Sequence, residues 1–317
     1  MKTKIIIRQA IVLIMISTLS IVVGCKKDRK NDVVDPDTSS LQQLCKDDAQ
    51  TQASDDQIMN DVNDVLSKNG GKTVNDSLPN SCTITIDTLL GPLTDTVRYT
   101  FAYNGYSGLH NFLRTGTVIV KKLATTHWKD LGATVWITYI DLQITKISSG
   151  KTFTFNGFRT YVNVLGGLIR GLGTTQDSVK HQITGSMQIT FEDNTSRTWN
   201  IRRTRTYTGT YPSQLLLTVN GFGSDGGYND LVEWGTNRNG ETFYTQITSS
   251  VVFRETCDWD PCSGVKIHQI PSDNKKAVVT FGFDDNNQPI TGTACPTKYQ
   301  IAWTKGSNSG TIYLSLP

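Results

Sequence analysis

The stretch Ile183-Thr184-Gly185-Ser186-Met187-Gln188-Ile189-Thr190-Phe191, followed by Glu192-Asp193-Asn194-Thr195 and then by Thr198-Trp199-Asn200-Ile201-Arg202-Arg203-Thr204-Arg205-Thr206-Tyr207, decides the fold. Ile183, Met187, Ile189 and Phe191 recur at even spacing. That puts them on one face of an extended chain, because successive strand side chains point to opposite sides. Asp193-Asn194 supplies the turn chemistry, and the second run again alternates. This is one antiparallel hairpin, and the same grammar repeats in both directions along the chain.

Working outward, Thr83–Ile86 and Thr117–Val120 alternate, and the long run Ala133–Ile147 places Trp136, Ile140, Leu142 and Ile144 on one face. Phe153 and Phe155 precede an Asn156-Gly157 turn signal. Asn239-Gly240 separates Leu231–Trp234 from Phe243–Ile247. Further strands fit Val251–Thr256, Val265–Ile270, Ala277–Phe283, Lys298–Trp303 and Thr311–Leu316. The connections are too short for the helical crossovers that parallel strands need. The fold class is therefore all-β: an antiparallel multi-stranded sheet or sandwich built of hairpins. One short N-terminal helix accompanies it. Ser54 can cap this helix, Gln57 completes a capping box, and Ile58, Val62, Val65 and Leu66 form one apolar face that ends before Gly70-Gly71. The expected organisation is a signal at 1–24, a lipidated cysteine and tether at 25–53, the helix and a linker at 54–80, and a β body at 81–317. A division of the body into two subdomains would fall near 208–228.

The N-terminus carries Lys2, Lys4 and Arg8, then an apolar run from Ala10 to Val23 that ends in Val22-Val23-Gly24-Cys25. A basic start and an apolar run shorter than a membrane span read as an export signal. The ending resembles the lipobox of bacterial lipoproteins. That resemblance implies cleavage before Cys25, acyl chains on Cys25, and a membrane as partner through this anchor. It also implies an outer-membrane location, facing the periplasm or the surface. Without residues 1–24 the chain has 28 basic residues against 28 acidic ones, so no overall field draws it to nucleic acid. The stretches Arg114–Val120, Phe155–Thr160, Phe253–Cys257, Ser263-Gly264-Val265 and Phe281-Gly282 resemble a group of uncharacterised Bacteroidota lipoproteins with an all-β body. The resemblance implies a place and a fold and carries no activity.

Chemistry is sparse. His110, His127, His181 and His268 are scattered, no Gly-x-Ser-x-Gly elbow occurs, and no cofactor or metal is expected. Gly221-Phe222-Gly223-Ser224-Asp225-Gly226 matches a dinucleotide fingerprint but opens no helix. Asp284-Asp285-Asn286-Asn287 offers oxygen ligands for calcium, with a solvated turn as the plainer reading. Asp258 and Asp260 flank Trp259 and could bind or cleave a sugar, against a solvated turn. Arg197, Trp199, Ile201, Arg203 and Arg205 share one strand face. With Trp259 they are the candidate ligand face, against ion pairing with neighbouring strands. The cysteines of an oxidising compartment pair, with Cys45–Cys82 stapling helix to sheet. At the other end Cys257–Cys295 ranks ahead of the alternatives and leaves Cys262 as the free thiol. Taken together, the sequence points to a non-catalytic envelope lipoprotein that binds a glycan or a protein partner. A glycan-active hydrolase and a structural scaffold are the alternatives.

Overall fold

The structure, a computed structural model, describes residues 39–69, 82–89, 95–107, 112–147 and 150–316. The expected signal, Cys25, most of the tether and the linker 70–80 lie outside these residues. Among the described residues, fifteen strands form a single antiparallel sheet. They are β1 (Cys82–Leu89), β2 (Thr96–Ser107), β3 (Phe112–Leu123), β4 (Ala133–Lys146), β5 (Lys151–Asn163), β6 (Ser178–Phe191), β7 (Ser196–Thr210), β8 (Gln214–Gly221), β9 (Gly223–Asp225), β10 (Tyr228–Thr236), β11 (Thr242–Arg254), β12 (Pro261–Ile270), β13 (Lys275–Phe283), β14 (Lys298–Lys305) and β15 (Asn308–Ser315). From β1 to β7 each strand pairs with the next. β7 then pairs with β10 along its first half and with β8 along its second. β8 also pairs with β11. The expected break near 208–228 is therefore absent: β8 lies in it and hydrogen-bonds the strands on both sides. Residues from Asp35 onward form one compact unit with its own core, which is what independent folding requires.

Among the described residues the one α-helix, α1, spans Ser39–Asn69, more than twice the length the sequence suggested. Ser54 is not its cap. It lies mid-helix, and its hydroxyl donates to the Gln50 carbonyl at 3.0 Å. Leu41, Leu44, Cys45, Ile58, Met59, Val62, Val65 and Leu66 are all buried, and so are Gln42, Asp47, Asp48, Thr51, Gln52, Ser54 and Asp55. The same core cluster contains residues from β1 to β7 and from β11 to β15, so the sheet wraps around the helix. A polar first half reads as a tether only while its partners are unknown.

Two local readings also change. Asn156-Gly157 is not a turn: both residues lie inside β5. A Cβ on Gly157 would stand 2.3 Å from the Ser186 carbonyl oxygen, so glycine is there for close strand approach. In β4 the inward residues are Val135, Ile137 and Tyr139, and then Leu142 and Ile144, while Trp136 and Ile140 are each 42% exposed. The register shifts between Tyr139 and Leu142, with Asp141 at φ 44°. Such a bulge moves the following side chains to the other face. Asn156 holds it, accepting from the Asp141 amide at 2.8 Å and donating to the Asp141 carboxylate at 3.0 Å.

Candidate functional site

The arginine stripe of β7 does share one face, and that face points inward. Arg197, Trp199, Ile201, Arg203, Arg205 and Tyr207 are all buried. Arg203 meets Asp55 at 3.1 Å and Asp56 at 2.9 Å, and Arg205 meets Asp56 at 3.1 Å. The stripe is therefore a socket for α1 rather than an open ligand face, and its main partners are on the helix, not on neighbouring strands. The exception is Glu233 of β10, 3.9 Å from Arg197 and hydrogen-bonded by the Trp199 indole. Other strands follow the same rule. Arg159 lies 3.8 Å from Asp55 and stacks over Trp199, and Tyr139 donates to Asp55 at 2.7 Å. Arg114 meets Asp61, Arg238 grips Asp47 with two nitrogens, and Lys266 meets Asp48 at 2.8 Å. Acids from the helix and bases from the sheet neutralise each other away from water, where a lone charge would be costly.

Asp48, Glu233 and His268 bring one ligand atom each within 4.8 Å of one another. Cations already serve this group. Lys266 holds Asp48, Arg197 faces Glu233, and Thr245 donates to Glu233 and lies 2.9 Å from His268 Nδ1. Burial and the Asp48 carboxylate push Glu233 up to about 7. Burial pushes His268 down to about 4. A further divalent cation would add charge to an already balanced cluster, so we read it as part of the helix socket.

The cysteines divide as the ranking expected at one end only. Cys257 and Cys295 are bonded, and Cys262 is free and buried. Cys45 and Cys82 are both free and buried, correcting the expected staple. The Cys45 thiol is influenced by Asp48 and the Cys82 thiol by Asp61. Those helix positions are about 20 Å apart at the usual helical rise, well beyond disulfide reach.

On its other side α1 leaves space. A cavity of about 380 Å³ lies between the helix stripe Cys45, Ala49, Gln52, Ala53, Asp56, Gln57 and Asn60 and an aromatic wall of Phe112, Tyr207, Phe253, Phe281 and Tyr299. Ala49 and Ala53 are one turn apart on one face, and their methyls cannot fill it. The loop Asp258–Pro261, which joins β11 to β12, forms part of its lining. Its course is set by a 3₁₀ turn at Glu255–Cys257, then Asp258 at φ 54° and Trp259 at φ 62°. The left-handed region is a true outlier for a bulky indole, and such outliers concentrate at ligand clamps. The Trp259 amide donates to the Arg254 carbonyl at 3.0 Å, and the disulfide ties the loop's base to Cys295. Burial and the neighbouring Asp258 push Asp260 up to about 6.

Of the candidate ligand residues, the structure thus brings Trp259 and Arg205 to the cavity and sets Arg197, Trp199 and Arg203 in the socket. The remaining motifs stay local. Lys298 donates to the Asp285 carbonyl and to Asn287, and Asp284 accepts from the Asn286 and Gln288 amides, so these turn oxygens are engaged within the chain. Gly221–Gly226 enters the short strand β9, which pairs with β10, not a helix. The stripe of α1 that lines the cavity had no sequence signal beyond its alanine spacing, because its first half lay in the presumed tether. No protein-family profile, no curated protein and no solved structure matches the chain.

Proposed function

We propose that this chain is a lipid-anchored envelope protein that binds a small amphipathic molecule, without catalysing its conversion, in the cavity beside α1. The observation that carries this reading is the cavity itself: mostly apolar on the sheet side, with six aromatic side chains, mostly polar on the helix side, and lying between α1 and the sheet of one compact unit. Binding pockets for small molecules have this make-up, an apolar wall with a few placed polar groups. The binding role expected from the sequence is kept. Its ligand class moves from a surface glycan to an amphiphile, because the arginines proposed to meet a glycan face inward.

Two experiments test the parts separately. A neutral naphthylamine dye should bind the soluble body, residues 35–317. Ala53→Leu should weaken it at least tenfold while leaving stability equal or higher, since filling a void is usually favourable. Unchanged dye affinity in the filled variant would overturn the cavity reading. For the anchor, Cys25→Ser should abolish acylation and leave the signal uncut; equal processing of both forms would refute it.

A further inference from the structure

The buried polar groups around the cavity leave donors over. Gln52 of α1 lines the cavity at 6% exposure, and its Oε1 accepts from Lys266 at 2.8 Å. That contact fixes which end of the amide is which, because an ammonium can only donate. The Nε2 end is left without a hydrogen-bond partner. One helical turn on, Asp56 meets Arg205 at 3.1 Å. Arg205 is buried and lines the same cavity, and its Nε has no partner either. Two buried N–H donors thus reach the cavity along one turn of helix. A buried donor left unpaired costs stability in a closed core, and a ligand that supplies the acceptor removes that cost. Asp48 Oδ1 also lacks a partner, but its neighbour is the Glu233 carboxyl, pushed up to about 7 by burial and by Asp48 itself, so a shared proton serves that oxygen.

The charges lean the same way. Asp48 and Glu233 face Lys266 and Arg197, which balances. Asp55 and Asp56 face three guanidiniums, those of Arg159, Arg203 and Arg205. Among the described residues one buried positive charge is therefore left over, and no guanidinium nitrogen of the fully buried Arg159 has a hydrogen-bond partner. An uncompensated buried cation is costly, and one added anion would neutralise it. Asp258 and Asp260 do not supply that charge: Asp260 responds to Asp258 and to none of these cations.

We infer that the bound amphiphile carries a carboxylate head, which accepts hydrogen bonds from Gln52 Nε2 and Arg205 Nε while its apolar chain lies along the aromatic wall toward Trp259. Hydrogen bonds that join a guanidinium to a carboxylate are about twice as strong as neutral ones, so this head is held more firmly than a hydroxyl. Its single negative charge matches the single positive one left over. The Trp259 indole, packed with Tyr207 and Leu217, belongs to the wall and meets the chain.

This inference rests on the cavity-binding reading, and one set of titrations separates the two. Octanoate, octanol and octylammonium share a chain and differ in head charge. Titrated calorimetrically at pH 7.5 into residues 35–317, below their aggregation concentrations, octanoate should bind about tenfold tighter than octanol or more, and octylammonium weakest. Gln52→Glu keeps the oxygen that Lys266 donates to and replaces the amide donor with an acceptor. It should weaken octanoate about tenfold or more and leave octanol, whose hydroxyl can donate as well as accept, within about twofold. Equal affinities of octanoate and octanol for the unaltered protein, or tighter binding of octylammonium, would overturn the carboxylate head and leave the cavity reading standing. Equal losses of both probes in Gln52→Glu would make Gln52 a packing residue and overturn the assignment of the head to it. Failure of all three probes and of the naphthylamine dye to bind would overturn both readings.

Discussion

The β7 stripe and the Trp259 loop are two aromatic, charged regions that look alike in the sequence and do opposite things in the fold. In the stripe, Arg203 and Arg205 are buried and matched by Asp55 and Asp56 at 2.9 to 3.1 Å. In the loop, Asp258 and Asp260 make no ion pair among the described residues, and the Trp259 backbone between them stands at φ 62°. A dense cluster of charges is therefore not a ligand face when a polar helix returns to fill it. A sparse one is a better candidate when the fold leaves it unfilled next to a cavity. The difference lies in what α1 presents: acids and large apolar groups toward the socket, and toward the cavity alanines and amides beside the already paired Asp48 and Asp56.

The largest way to break this comparison is at the socket. Asp55 is fully buried and serves Arg203, Arg159 and Tyr139. Asp55→Ala should cost about 3–5 kcal/mol, the usual penalty for stranding a buried charge. Chemical denaturation reads this directly. The folded fraction should keep its affinity for the neutral dye. A loss under about 1 kcal/mol would mean the arginines are hydrated and free to serve a ligand after all.

The second way is at the loop. Trp259→Ala should cost about 2 kcal/mol of stability, because the half-buried indole packs against the cluster that holds Tyr207 and Leu217, and should also weaken amphiphile binding to the folded fraction about tenfold. Unchanged binding in the folded fraction would make the indole a packing residue alone and erase the contrast with the stripe.

The smallest effect comes from protonation. Asp260 titrates near 6 in the fold against an ordinary 3.8, so the folded protein holds this proton more tightly than the unfolded chain does. Stability that is present below pH 3.8 is lost as pH rises toward 6. Asp260→Asn should therefore be more stable than the unaltered protein at pH 7.5, by less than about 1 kcal/mol at this half-exposed site, with the gap closing by pH 3.5. Urea midpoints at the two pH values decide it; a gap that persists at pH 3.5 would assign the effect to packing.

How much of this was legible in advance follows the range of each signal. Strands declare themselves through period-two alternation and local turn residues, so most hairpins and the Cys257–Cys295 bond could be read. Three errors share one cause. The first half of α1, with Asp47, Asp48 and Gln52 buried, looks solvated because its partners Arg238 and Lys266 are about 190 to 220 residues away. Asn156-Gly157 looks like a turn because the neighbour it must clear, Ser186, belongs to another strand. The face of β4 flips at Asp141 because a bulge depends on pairing with β5. The cavity was illegible for the same reason: it is made by Ala49 and Ala53 failing to reach Phe281 and Tyr299, which no local pattern records. The Trp259 loop was visible as residues, but only its left-handed backbone and its place on the cavity distinguish it from a surface turn.

Hydrogen exchange of residues 35–317 with and without the neutral naphthylamine dye puts the two regions in a single measurement. The account predicts slowed exchange in the Glu255–Cys262 segment and in the Cys45–Asn60 part of α1, with Ser196–Arg203 of β7 unchanged. Slowing confined to Ser196–Arg203, or to the exposed Trp136 and Phe158 region of β4 and β5, would contradict it.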